Sequence, residues 1–170
     1  MSGMREGAMN CPSCGAPMRL AQGNASLRCD YCKNVVVAPA DDAGVRYLDE
    51  AEKMACPVCA VPLFNATLAG IEIQSCKRCH GMLVAMARFE PLIEQVSENG
   101  GGSESSSTAD KSELGRKINC PGCRRTMDAH FYYGGGHAVI EGCENCSLNW
   151  LDGGVLMQIV RARHLSDAEA

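Results

Sequence analysis

Large aromatic side chains are scarce in this chain, whose 170 residues include one Trp, three Phe and four Tyr. Glycine, in contrast, occurs eighteen times. Because aromatic side chains supply much of the apolar area that a single large core buries, their scarcity argues against one such core. We therefore expect several small cores, each held together by something besides apolar burial.

Long apolar runs are also missing. No stretch of eighteen apolar residues occurs, so the sequence predicts no membrane-spanning helix. Residues 1–10 contain a single Arg and no apolar run, which is typical of neither a secretory signal nor a mitochondrial transit peptide. We therefore expect a cytoplasmic protein, in whose reducing surroundings paired cysteines are metal ligands more often than disulfides.

No cysteine stands alone in the sequence. All twelve belong to Cys-x-x-Cys pairs, and the six pairs form three sets of similar spacing. The sets are Cys11, Cys14, Cys29 and Cys32; Cys56, Cys59, Cys76 and Cys79; and Cys120, Cys123, Cys143 and Cys146. Zinc binds four thiolates tetrahedrally, and a Cys-x-x-Cys turn lets two sulfurs reach one ion. The spacing therefore predicts three Zn²⁺ per chain, with these twelve cysteines as ligands.

Each set leaves room for a hairpin between its two cysteine pairs, which are separated by 14, 16 and 19 residues. Alternating apolar residues and glycines predict the arms and turns. In the first set the predicted turn is Gly23-Asn24. In the second set residues 63–68 are predicted to pair with 71–74 around a turn at Ala69-Gly70. In the third set residues 126–132 are predicted to pair with 137–141 around glycines 134–136.

The residues around the first pair of each set suit a tight turn. Proline follows the first cysteine at Pro12, Pro57 and Pro121, where it fixes φ and removes a donor. The residue after the second cysteine is expected to adopt a left-handed backbone, which glycine accepts most easily. That residue is Gly15, Ala60 or Arg124.

The second and third sets resemble transcription-factor-IIB-type zinc ribbons, which occur as short repeats in many bacterial proteins. In that family the second Cys-x-x-Cys pair runs into Trp-Leu-Asp-x-Gly and a helix. The third set has this pattern, with Leu148 at a place that is usually Gly: Cys143, Cys146, Trp150, Leu151, Asp152 and Gly154. The resemblance implies a zinc ribbon followed by a helix.

The other two sets depart further from that pattern. The second set keeps Gly81 but has Leu83, Ala85 and Ala87 in place of the Trp, Asp and Gly. The first set resembles a generic zinc ribbon without the helix, ending in a strand at residues 35–37. These resemblances imply a fold and a metal, and they name no activity.

Two short helices are predicted from apolar periodicity. Phe89, Leu92, Ile93 and Val96 recur at helical spacing after the second site, with Pro91 expected in the first turn. After the third site, Asp152 is the expected N-cap of a helix with an inward side at Leu156, Ile159, Val160 and Arg163. We expect each apolar stripe to pack on its own ribbon; a dimer or a partner groove is the alternative.

The predicted fold is a small, metal-stapled, β-rich α+β chain of three tandem zinc ribbons, the second and third each followed by a short helix. A linker rich in Gly and Ser precedes the third ribbon, so we expect the position of that ribbon relative to the others to vary. The predicted boundaries are a flexible N-terminus at 1–8, ribbon 1 at 9–40, a connecting segment with the option of a short helix at 41–55, ribbon 2 and its helix at 56–96, the disordered linker at 97–115, ribbon 3 and its helix at 116–164, and a tail at 165–170.

The charge disfavours nucleic acid as a partner. The formal net charge is −4 with the cysteines counted as neutral. Four thiolates and one Zn²⁺ change it by −2, so three occupied sites lower it to about −10. Nucleic-acid binding draws much of its affinity from a positive face. The strongest such feature is a basic edge beside Tyr132 and Tyr133, formed by Arg116, Lys117, Arg124 and Arg125.

Three functions are compatible with the sequence. The leading interpretation is a non-catalytic zinc-binding adaptor or regulatory protein that recognises a protein partner through its ribbons. The alternative is a transcription-related accessory factor that binds nucleic acid through the basic edge of ribbon 3. An iron or thiol redox protein is the third, because Cys-x-x-Cys pairs also serve those chemistries.

No catalytic centre is predicted. A zinc ion held by four thiolates has no open position for substrate or water, and no small-molecule substrate is evident. The four histidines form no site with one another, although His80 directly follows a ligand. The others are His130 and His137 on the third hairpin and His164 in the last helix.

Overall fold

The structure, a computed structural model, describes residues 10–20, 26–37, 40–99, 111–132 and 138–168. Several predictions lie outside these residues, among them the flexible N-terminus, the turn at Gly23-Asn24, most of the linker, and the three glycines of the third hairpin.

The described residues form ten strands and two α-helices, with a short 3₁₀-helix at Lys111–Gly115. The strands are β1 (Met18–Leu20), β2 (Ser26–Cys29), β3 (Val35–Val37), β4 (Val45–Ala55), β5 (Pro62–Leu68), β6 (Ile71–Ser75), β7 (Met82–Ala85), β8 (Asp128–Phe131), β9 (Val139–Cys143) and β10 (Leu148–Leu151). The helices are α1 (Met86–Glu98) and α2 (Val155–Ala168).

These strands form two antiparallel sheets. Ribbon 1 is a three-stranded sheet in the order β1-β2-β3. Ribbons 2 and 3 share one seven-stranded sheet in the order β4-β5-β6-β7-β10-β9-β8. The expectation that ribbon 3 varies in position therefore does not hold relative to ribbon 2, because β7 of ribbon 2 pairs with β10 of ribbon 3.

The junction between ribbons 2 and 3 has approximate twofold symmetry. Leu83 lies opposite Trp150, and each is the fourth residue after the last cysteine of its own ribbon. On either side, Met82 lies opposite Leu151 and Val84 lies opposite Asn149. The two ribbons are thus joined in the way that two subunits meet across an isologous interface.

The shared sheet separates two buried clusters. On one face α1 and α2 cover a large apolar core that includes Met82 and Val84. On the other face the cysteines of sites 2 and 3 cluster with Leu83 and Trp150. Because successive strand residues point to opposite faces, β7 contributes to both clusters. The helices and the metal sites therefore lie on opposite sides of the sheet.

The predicted hairpin of the second set is present: β5 and β6 pair around Ala69 and Gly70, both of which have positive φ. The connecting segment is a strand, so the option of a short helix is wrong. β4 adds to the outer edge of β5 along residues 45–47, and Tyr47 packs edge-on against Phe64. Pairing with an exposed sheet edge here overrides a composition that suits a helix.

The helix after site 2 differs from its prediction at Pro91. Phe89, Leu92 and Ile93 are buried as expected. Pro91 lies in the second turn of α1, not in the first, since the helix begins at Met86. Its side chain is on the exposed face, where solvent can satisfy the carbonyl that lacks an amide partner.

The helix after site 3 also differs from its prediction in two places. Asp152 does not cap α2, which begins at Val155. Arg163 is exposed and pairs with Glu90 and Glu94 of α1, rather than pointing inward. Both apolar stripes pack in the core that the two ribbons share, so neither stripe packs only on its own ribbon.

Candidate metal centres

The structure brings each predicted set of four cysteines together. Within each set the four sulfur atoms all lie within 4.8 Å of one another. Closest contacts between sulfurs are 3.5 Å for Cys11 and Cys32, and 3.7 Å for Cys56 and Cys79. Zinc–thiolate bonds of about 2.3 Å in a tetrahedron place sulfurs about 3.8 Å apart, whereas a disulfide needs about 2.05 Å. The three clusters are therefore zinc sites.

Six short turns hold these ligands, and all six share a left-handed residue after the second cysteine. The residue after the second cysteine of each pair has a positive φ: Gly15 (73°), Lys33 (63°), Ala60 (59°), His80 (59°), Arg124 (65°) and Ser147 (54°). The N–H of Ala60 donates to the carbonyl oxygen of Cys56 at 2.9 Å, and that of Arg124 does the same to Cys120. The expected left-handed backbone is thus present even where the residue is not glycine.

The three histidines that the structure describes belong to none of the metal clusters. His80 owes its place beside Cys79 to the turn, and its side chain is exposed. The ring of His130 lies near the carbonyl oxygen of Asp128, at 3.2 Å, and His164 is exposed on α2. His137 lies outside the described residues. In the part of the chain that the structure describes, the three cysteine clusters are the groups that could hold a metal.

Three thiols of site 2, those of Cys56, Cys59 and Cys79, have a raised pKa and resist ionisation without a cation. The pKa of Cys76, despite its burial, is lowered by backbone hydrogen bonds. Burial raises the pKa of Cys56 to about 11, and burial likewise raises the pKa of Cys79 to about 11. Metal binding must therefore displace protons from these sulfurs, since the thiolate is the ligand. Four thiolates this close together repel one another without a cation, so the donor set fits Zn²⁺.

Site 1 is more exposed than sites 2 and 3. Its ligands Cys14 and Cys32 are exposed, whereas the more accessible ligands of the other two sites are half-buried. The core beneath it consists of Cys11, Met18, Leu27 and Cys29, with Ala16 and Val36 at its margin. We therefore expect ribbon 1 to depend on its metal more than the shared body does.

A charge network ties the segment before site 3 to its ribbon. Arg116 Nη2 donates to Glu141 Oε1 at 2.5 Å and to Asp152 Oδ2 at 2.6 Å. The indole N–H of Trp150 donates to the other oxygen of Asp152 at 3.1 Å. The side chain of Glu141 is 1% exposed, and this burial raises the pKa of its carboxyl while Arg116 opposes the rise.

This network changes the interpretation of the basic edge. Arg116 is engaged with two carboxylates, so it is not a free cation for a phosphate. Tyr132 is half-buried and packs edge-on against Phe89 of α1, with ring centroids 5.1 Å apart. Tyr133 lies outside the described residues. Lys117, Arg124 and Arg125 are exposed.

The chain was compared with known proteins. Residues 55–95 match the family of TFIIB-type zinc ribbons, described as Transcription factor zinc-finger. The match covers site 2 and most of α1, in agreement with the family resemblance of that segment. No curated protein and no solved structure matches the chain. Among the described residues, no helix is long and apolar enough to cross a membrane.

Proposed function

We propose that this chain is a non-catalytic zinc-binding adaptor in which ribbon 1 recognises a protein partner and ribbons 2 and 3 form a rigid support. The observation that carries the proposal is the exposure of three apolar side chains within seven residues of ribbon 1. Tyr31 is 86% exposed, Val35 55% and Val37 58%. Large apolar side chains exposed within one short segment favour an interaction surface.

The shared body offers less apolar surface. The helix stripes that the sequence left open for a partner are used inside the core between the ribbons. Its two exposed large apolar side chains within the described residues, Val58 and Phe131, are 47% and 37% exposed and lie in different ribbons. Single exposed apolar side chains of this kind need no partner. A protein partner is therefore better sought at ribbon 1.

The metal sites support a role without catalysis. Each site has four sulfur ligands, so a bound zinc has no open position at which a substrate or a water molecule can be activated. The reducing cytoplasm, where thiols persist as metal ligands, is the expected compartment.

A matched pair of variants tests the adaptor. The zinc-loaded wild-type protein and the variants Tyr31→Ser and Val58→Ser are immobilised and exposed to native lysate. The proteins that each form captures are quantified by mass spectrometry. We expect a partner that Tyr31→Ser loses and Val58→Ser retains, because Tyr31 is the most exposed apolar side chain of ribbon 1. Capture of no protein, or equal capture by all three forms, contradicts the proposal.

A nucleic-acid-binding accessory factor is the second candidate. The match of residues 55–95 to the family described as Transcription factor zinc-finger favours it. The exposed cations Lys117, Arg124 and Arg125 would carry the phosphate contacts. Against it stand the engaged side chain of Arg116 and the net negative charge of the zinc-loaded chain.

Charge reversal decides between the two candidates. Binding of single-stranded and double-stranded oligonucleotides is measured over a range of salt concentrations for wild type and for Arg124→Glu/Arg125→Glu. The control is Arg28→Glu/Lys53→Glu, which changes the charge equally at exposed positions outside ribbon 3. Binding lost only in the ribbon 3 variant, with a flatter salt dependence, supports nucleic-acid recognition; no binding by the wild type removes it.

A further inference from the structure

The third strand of each ribbon begins at a similar distance in sequence from the last zinc ligand of that ribbon. It follows the last zinc ligand of its ribbon by two or three residues: β3 after Cys32, β7 after Cys79 and β10 after Cys146. In ribbons 2 and 3 the outer edges of these strands pair with each other. In ribbon 1, β3 is the edge of its sheet, and no described residue pairs with its outer side.

The backbone of β3 is arranged for such a pairing. The N–H of Cys29 donates to the carbonyl oxygen of Asn34, and Val36 lies opposite Leu27 two residues further along. In an antiparallel pair, hydrogen-bonded residues alternate along the strand. The N–H and C=O groups of Val36 therefore point towards β2, and those of Val35 and Val37 point outwards. Four backbone groups are thus aligned along the open edge.

The same alternation occurs at the junction that is already formed. The N–H of Cys76 donates to the carbonyl oxygen of Gly81, so the backbone groups of Leu83 point towards β6. Those of Met82 and Val84 point towards β10. Val35 and Val37 of ribbon 1 stand at the positions of Met82 and Val84, counted from the last ligand.

We infer that the open edge of β3 binds β3 of a second copy of this chain, in the arrangement that joins ribbons 2 and 3. In that arrangement the fourth residue after the last ligand lies opposite its counterpart, as Leu83 lies opposite Trp150. Applied to ribbon 1, it places Val36 opposite Val36 of the second copy and Val35 opposite Val37. The two ribbons then form a six-stranded sheet across a twofold axis.

The side chains at this edge fit the arrangement. At the formed junction the bulky Trp150 requires a glycine beside it, since a Cβ on Gly81 would lie 2.3 Å from its ring. Ribbon 1 has Asn34 at the place of Gly81 and the smaller Val36 at the place of Trp150. A valine at the axis leaves room for the Asn side chain.

A second copy also suits the surface of the strand. Val35 and Val37 face the side of the sheet that α1 and α2 cover in the other ribbons, and no described helix covers it in ribbon 1. Pairing across the axis sets Val35 against Val37 of the other copy, so four exposed valines become neighbours. β-branched cross-strand pairs of this kind stabilise a sheet. The dimer would cover Val35 and Val37, two of the three exposed side chains offered above to a protein partner, so the two proposals compete for this edge.

Sedimentation of the zinc-loaded full chain over a wide concentration range tests this dimer. We expect a monomer–dimer equilibrium that Val35→Lys/Val37→Lys abolishes, because charged side chains at a strand edge prevent edge pairing. Val58→Lys, which adds a charge at another exposed valine, should dimerise like the wild type. Native mass spectrometry checks that every variant retains three zinc ions.

Two further measurements locate the contact. Val37→Pro removes one outward N–H and leaves the inner hydrogen bonds to β2, so it should also shift the equilibrium to monomer. Hydrogen exchange at the amides of Val35 and Val37 should slow as protein concentration rises. A chain that stays monomeric up to its solubility limit, leaving the edge to a strand of another protein, overturns the inference. A dimer that survives these variants overturns it as well.

Discussion

The indole ring of Trp150 lies directly over Gly81, so close that a Cβ on the glycine would sit 2.3 Å from Cζ2 of the ring. Trp150 belongs to ribbon 3 and Gly81 to ribbon 2, and Trp150 is completely buried. This contact therefore links ribbon 2 to ribbon 3 within the shared sheet. It also requires that the residue beneath the one tryptophan of the chain have no side chain.

Gly81→Ala should destabilise the body formed by ribbons 2 and 3. The added methyl group meets an indole that has no room to move, and overpacking of this kind costs about 1 to 3 kcal/mol. Urea denaturation of the zinc-loaded protein measures the change. Gly115→Ala is the control, because a Cβ there has no neighbour within 4 Å.

A second substitution separates crowding from other effects of alanine. Trp150→Leu places a leucine opposite Leu83, so that both sides of the junction have the same side chain. By itself this substitution should lower stability. Combined with Gly81→Ala, it should show a favourable coupling, since the methyl group no longer meets an indole. Additive losses in the double variant would contradict the crowding explanation.

The charge network at site 3 gives a second prediction. Arg116→Met leaves the buried carboxylate of Glu141 without its cation, and breaking a buried pair on one side costs about 3 to 5 kcal/mol. Arg116→Met combined with Glu141→Gln should recover much of that loss, because no charge is then buried unpaired. Denaturation of the zinc-loaded variants measures both, with Arg125→Met as an exposed control. Equal losses in the single and double variants would argue against a charge effect.

The local parts of the fold were predictable from sequence, because they depend on residues close together in the chain. The spacing of the cysteines grouped the ligands, and alternation of Ile71 and Ile73 with polar residues indicated the hairpin of ribbon 2. The left-handed backbone at Ala60 and Arg124 followed from their place after a Cys-x-x-Cys pair.

The joining of ribbons 2 and 3 was not predictable in the same way. The strands β7 and β10 lie more than sixty residues apart, on either side of a linker rich in Gly and Ser. Nothing local distinguishes a strand edge that is paired from one that is free. The presence of a glycine at 81 and a large side chain at 150 was a possible signal of this pairing. The zinc-ribbon pattern accounts for each residue within its own ribbon, however, so neither one indicates a contact between ribbons.

The charged residues around site 3 differ from their predicted roles for a related reason. Asp152 precedes a helix and has the side chain of an N-cap, whereas in the fold it accepts hydrogen bonds from Trp150 and Arg116. Arg116 belongs to the basic edge in the sequence, but in the fold it pairs with Glu141, which is 25 residues away. Long-range ion pairs leave no periodic pattern in a sequence.

Ala60→Gly should stabilise ribbon 2. Ala60 has φ of 59°, a conformation in which glycine has no Cβ penalty, so relief of about 1 kcal/mol is expected. Ala162→Gly in the interior of α2 is the opposite control, where glycine costs about 1 kcal/mol relative to alanine. Urea midpoints of the zinc-loaded variants measure both signs. A loss of stability in Ala60→Gly would mean that the methyl group packs better than its backbone strain costs.

Stepwise removal of zinc should begin at site 1. Zinc contributes about 10 to 16 kcal/mol to the folding of small zinc-binding modules, so each ribbon unfolds without its metal unless its surroundings support it. Sites 2 and 3 share a sheet and a helix-covered core, whereas site 1 has two exposed ligands and a small core of its own. Native mass spectrometry during a chelator titration should therefore show three zinc ions falling first to two.

Alkylation identifies which metal leaves. Cysteines that lose their zinc become reactive thiols, so Cys14 and Cys32 should be labelled before Cys59 and Cys146. Substituting Cys14 with Ser should give a chain with two zinc ions whose seven-stranded sheet remains ordered, whereas Cys146→Ser should disturb ribbon 2 through β10 and β7. Simultaneous loss of all three ions, or first loss from site 2 or 3, would show that ribbon 1 draws support from the rest of the chain. Visible absorption from iron in the purified protein would show that the cysteine sites hold a redox metal instead of zinc.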